Sequence, residues 1–157
     1  MHRTLGALLA TAALAVTAGC GSTTSSTPTG DPSASDPNGT IDYTKVALIS
    51  MTGGGGTSTP LASPLDTTAQ VSAFVRQFRA NAMAQRVRHE LAGADVPAGS
   101  HLYGAVIAVG CDRPPGFDVI GGNGRPQIVP REVASPLPEC LAAVTTVAIV
   151  AVPASAS

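Results

Sequence analysis

The chain has 157 residues, of which 44% are hydrophobic, 12% charged and 3% aromatic, with a formal net charge of -1. That length allows one modest domain. The charged fraction is about half the level usual in soluble domains, and no cluster of Lys and Arg is available to neutralise phosphates, which excludes nucleic acid as a partner. With no Trp, two Tyr and three Phe, stacking platforms for sugars or bases are hard to build, so any core must be aliphatic.

His2 and Arg3 give a short basic start, followed by the apolar stretch "LGALLATAALAV" from Leu5 to Val16. This is the length of a signal-peptide core and too short to span a bilayer as a helix. Small residues Thr17, Ala18 and Gly19 then precede Cys20. The segment resembles the bacterial lipobox, although Thr17 stands where Leu or Val is usual. The resemblance implies that residues 1–19 are removed as a signal peptide and that Cys20 becomes the acylated first residue of the mature chain. It also implies an anchor in membrane lipid at the outer face of the cell membrane. Two or three acyl chains hold a protein stably on a membrane, whereas one holds only marginally.

From Cys20 to Thr40 the sequence is rich in Ser, Thr and Pro and has no large apolar side chain. Nothing in it offsets the entropy of ordering, so it is predicted to be a disordered tether with a reach of about 25 Å. Asp31, Asp36 and Asp42 lack the alternating spacing of a calcium loop.

The folded domain is predicted over 41–153, with 154–157 a disordered tail. "KVALISM" from Lys45 to Met51 reads as a strand. The glycines 53–56 that follow lack the lysine of a phosphate-binding P-loop and read as a flexible strand-to-helix connection. Asp66 is the predicted helix N-cap. Val71, Phe74, Val75 and Phe78 form one helix face, while Met83, Val87 and Leu91 fall nearly opposite. One straight helix cannot bury both stripes, so a break is predicted near Ala80-Asn81-Ala82. Arg76, Arg79, Arg86 and Arg88 scatter around the wheel as a solvated surface.

"HLYGAVIAVGC" places Tyr103, Ala105, Ile107, Val109 and Cys111 on one face and small or apolar residues on the other, as in a central strand. "DRPPG" is a turn, "FDVIG" a short strand, "NGRP" a turn and "QIVPREV" an edge strand that tolerates Pro130, together an antiparallel meander. "LAAVTTVAIVAV" from Leu141 to Val152 is a second central strand. The predicted fold class is α+β: a small antiparallel or mixed sheet of about five strands covered by one or two helices.

With Cys20 acylated, Cys111 and Cys140 are left as a pair, and an exported location permits them to form a disulfide. No CxxC, GxSxG or HExxH motif is present, and His89 and His101 have no ligand spacing to either cysteine, so no metal, cofactor or catalytic set is predicted. The best constellation available is His101 with Asp112 and Asp118, but ten strand residues separate His101 from Asp112 by about 30 Å. Asp112 and Arg113, beside the expected disulfide, form a rigid loop suited to partner contact.

The order of strand, helix with "FVRQF", apolar strand, Pro/Gly turn, further strands and a final "VAIVAVP" resembles the PrcB-like domain of bacterial protease-complex lipoproteins. The resemblance spans most of the chain after Tyr43. That family's Thr-Gly-Gly-Tyr turn is replaced here by Pro114-Pro115-Gly116-Phe117, and no functional residue carries over. These readings point to a membrane-anchored, non-enzymatic envelope protein that contacts another protein or the cell wall. The alternatives are a small-ligand or lipid carrier, with a pocket beneath the Val71–Phe78 helix, or a hydrolase.

Overall fold

The computed structural model describes residues 39–122 and 124–156. The lipobox-like segment, Cys20 and the predicted tether up to residue 38 lie outside the described residues. The first strand, β1, runs over Thr44–Thr52 and is followed by a two-residue strand, β2, at Ser63–Pro64. Two helices follow, α1 over Thr68–Val75 and α2 over Asn81–Ala92. Strand β3 covers Ser100–Gly110, β4 Phe117–Ile120, β5 Gln127–Pro130 and β6 Val144–Pro153. The fold is α+β, with an antiparallel four-stranded sheet ordered β1-β6-β3-β2 and a separate two-stranded β4-β5 hairpin.

β6 sits in the middle because it can be buried on both faces. Its residues Thr145 to Val152 are all buried, and its alternating side chains supply two cores. On one face Val147 and Ile149 pack with Ala47, Ile49 and Val106 beneath Phe74, Val75, Phe78, Met83 and Val87 of the helical segment. On the other, Ala148, Val150 and Val152 pack with Tyr103, Ala105 and Ile107 against Phe117, Val119 and Ile128 of the hairpin. Each fully buried Val or Ile contributes roughly 1.5–3 kcal/mol of transfer free energy, so one strand serves as the spine of a three-layer domain.

The predicted helix break is present between Val75 and Asn81, and it lets both apolar stripes reach the sheet. Four expectations are corrected. The N-cap of α1 is Thr67, not Asp66: the Thr67 hydroxyl accepts from Gln70 N–H while the Gln70 side chain accepts from Thr67 N–H, a reciprocal capping box. The meander does not form, because β3 pairs with β6 and β4 pairs only with β5 among the named strands. The even alternation of β3 fails at Ile107, where a register shift between Val106 and Ala108 moves Val109 off the Tyr103 face and leaves it 42% exposed. The tail forms a 3-10 turn at Ala154–Ala156, held by Ala154 N–H donating to Gly99. Residues just before 41 also belong to the fold: Gly121 N–H donates to Gly39 and Thr40 bridges Ile120.

Candidate functional site

Between β5 and β6 the chain makes a long connection whose residues 134–143 are all exposed. Pro136 and Pro138 forbid a helix and narrow the backbone's choices. Three attachments fix the loop to the domain. Cys140 is joined to Cys111 at the end of β3, with a Cα separation of 5.3 Å. Leu137 N–H donates to Asp112 Oδ2 at 2.9 Å. At the far end Gly53 N–H donates to the carbonyl of Ala143 at 2.9 Å. Leu141, next to the disulfide, is wholly exposed, and Leu137 is more than half exposed.

The entrance to the loop is clamped by Arg131, whose backbone N–H donates to Gly116 at 2.9 Å. Its guanidinium grips Asp118 with Nε to both carboxylate oxygens at 3.1 Å and Nη2 to Oδ1 at 2.6 Å. This forked contact holds the Asp118 carboxyl below its ordinary value. Asp118 is therefore engaged by Arg131, not by His101.

Asp112 is a structural clamp on its neighbouring loop, and Arg113 stands exposed beside it. His101 meets a residue the sequence reading had placed elsewhere: its Nδ1 lies 3.1 Å from Asp66 Oδ2, while Asp66 Oδ1 accepts from Leu102 N–H at 2.8 Å. Among the described residues no hydroxyl or thiol hydrogen-bonds to the other ring nitrogen of His101. The predicted trio of His101, Asp112 and Asp118 is not brought together.

No known protein family, no curated protein and no solved structure matches this chain. The site must therefore be read from its own geometry.

The glycine segment is a packed corner and not a flexible connection. The carbonyl of Gly54 accepts from Arg79 N–H and Ala80 N–H, and the Thr145 hydroxyl donates to the carbonyl of Gly55 at 2.9 Å. Gly55 has a φ of 79°, and a β-carbon there would lie 2.7 Å from Arg79 N. Glycine is needed for both reasons.

The space beneath the Val71–Phe78 segment is filled. Phe74, Val75 and Phe78 are buried against Leu65, Val106 and the sheet, with the rings of Phe74 and Phe78 edge to face at 5.6 Å. Among the described residues there is no cluster of three metal-ligating side chains and no helix long and apolar enough to cross a membrane.

The sequence reading misses Leu137 and Leu141 because it assigns "SPLPE" to no element and starts the second central strand at Leu141, whereas β6 begins only at Val144. The available signal was two leucines set among prolines and a cysteine, where neither helix nor strand could absorb them.

Proposed function

We propose that the protein is lipid-anchored through Cys20 at the outer face of the cell membrane and acts without catalysis, making protein contacts in the envelope through the loop that carries Leu137 and Leu141. The observation that carries this reading is the full exposure of Leu141 beside the Cys111–Cys140 bond. An apolar side chain held in water by a pinned backbone has already lost much of its conformational entropy, so inserting it into a partner's pocket costs little further ordering. Asp112 belongs to the same device, since it fixes Leu137 N–H, and Arg113 lies at its rim.

The filled core under α1 weighs against a carrier with its pocket there. The His101–Asp66 pair, with no nucleophile bonded to it, gives little support to a hydrolase.

A photo-crosslinking residue in place of Leu141, in the tethered protein in its native envelope, should give a specific protein adduct that is lost on introducing Asp at position 137. The same residue at exposed Asp95 should give none. Equal labelling at both positions would sink the contact reading. Cys20→Ala should abolish acylation and membrane partitioning; unchanged partitioning would sink the anchor.

A further inference from the structure

The domain protects its sheet edges unequally. The β4-β5 hairpin is flanked on one side by Gly39–Ile41, through Ile41 N–H to Val119 and Gly121 N–H to Gly39. On the other side, Ala62 N–H donates to Pro126 and Ile128 N–H to Pro60. In the main sheet, the β2 edge is two residues long and ends in a proline, which limits further pairing. β1 is different: it is nine residues long, β6 is its only strand partner, and the opposite edge is open among the described residues. It carries a single charge, Lys45. Long apolar edges of this kind recruit further strands.

That edge is one wall of a groove of about 840 Å³, lined continuously from Lys45 to Met51 and roofed by Ala82, Gln85, Arg86, His89 and Glu90 of α2. These positions recur at helical spacing, so they form one flank of α2 above the strand. Arg86 and Glu90 neutralise each other at 2.6 Å, whereas Lys45 makes no ion pair among the described residues. The groove thus has one uncompensated cation, placed at the start of β1.

We propose that β1 is a docking site for an extended segment of a partner protein, which adds a fifth strand and sets a carboxylate against Lys45. Backbone hydrogen bonds supply the affinity and the carboxylate fixes the register, as in other strand-addition complexes. An antiparallel peptide places that carboxylate at its C-terminal end, opposite the beginning of β1. This surface is separate from the Leu141 loop and does not depend on it.

The test uses the full chain with two labelled peptides, Thr-Val-Thr-Ile-Thr-Val-Asp and the same sequence ending in Lys, read by fluorescence anisotropy and amide hydrogen exchange. The aspartate peptide should bind saturably and slow exchange at alternate amides of β1. Lys45→Glu should weaken it by roughly five- to tenfold and reverse the preference between the two peptides. Equal binding of both peptides to both forms, or no saturable binding below about 1 mM, would overturn the proposal. So would a full chain that sediments as a dimer with its β1 amides already protected, because the occupant would then be a second copy.

Discussion

Gly104 of β3 faces Leu65 so closely that a β-carbon on the glycine would lie 2.7 Å from the Leu65 δ-methyl, with Phe74 Cζ and the Ala148 carbonyl oxygen each at 3.5 Å. A glycine in a central strand is normally a weakness. Here it admits the helical layer onto the sheet, because Leu65 and Phe74 fill the space a side chain would take.

Substituting Gly104→Val should therefore destabilise by about 1–3 kcal/mol through overpacking, despite the better strand propensity of valine. Urea denaturation would measure this. Combining Gly104→Ala with Leu65→Ala should cost less than the sum of the two single changes, because Leu65→Ala removes the clashing methyl. Strict additivity would show that the two residues do not meet.

The capping box at α1 gives a second discriminating pair of variants. Thr67→Ala should cost about 1 kcal/mol, since Thr67 Oγ1 accepts from Gln70 N–H at 3.2 Å. Asp66→Ala should leave the helix start intact and instead loosen the β3 entrance, where Asp66 holds Leu102 N–H. Backbone amide shifts would separate the two effects: the first variant should perturb residues 68–71 and the second Leu102.

The features legible in the sequence were those written in local periodicity. The two opposed stripes on either side of Ala80 required a broken helix, and the unbroken aliphatic run from Val147 to Val152 in β6 required burial on both faces. The cap was misassigned because Asp66 and Thr67 are both good N-cap residues, and only tertiary structure reveals that Asp66 is claimed by His101 and Leu102. The bulge at Ile107 follows from fitting β3 to β6, a nonlocal demand with no local signature. The pairing of Cys111 with Cys140 was reached by counting thiols, but Leu141 and the open β1 edge depend on what does not cover them, which no sequence pattern records.

Removing the disulfide should weaken the domain by about 3–4 kcal/mol, because the bond closes a loop between residues 29 apart in sequence. Cys111→Ala with Cys140→Ala, compared with the oxidised protein in urea, would measure it. The loop should also become far more susceptible to proteolysis at Leu141–Ala142 before global unfolding, since Cys140 is the covalent tie nearest to Leu141. Unchanged cleavage there would mean that the disulfide does not restrain the loop.

The Arg131 clamp makes a pH-dependent prediction. Arg131 holds the Asp118 carboxyl below its ordinary value, chiefly through side-chain hydrogen bonds, with attraction between the charges also contributing. The unfolded chain releases Arg131, so its Asp118 titrates near the ordinary aspartate value of about 3.9. A folded value below the unfolded one means that the clamp's contribution is fully present above that pH. It is lost as pH falls through the lower folded value, because the unfolded state binds the proton first. Following the Asp118 carboxyl by NMR should show a depressed midpoint that Arg131→Ala returns to the ordinary range. The variant should also loosen the loop entrance without disturbing β6, since among the described residues the Arg131 side chain hydrogen-bonds only to Asp118, while the backbone N–H that donates to Gly116 survives the substitution. A midpoint unmoved by Arg131→Ala would show that the two side chains do not hold each other in solution.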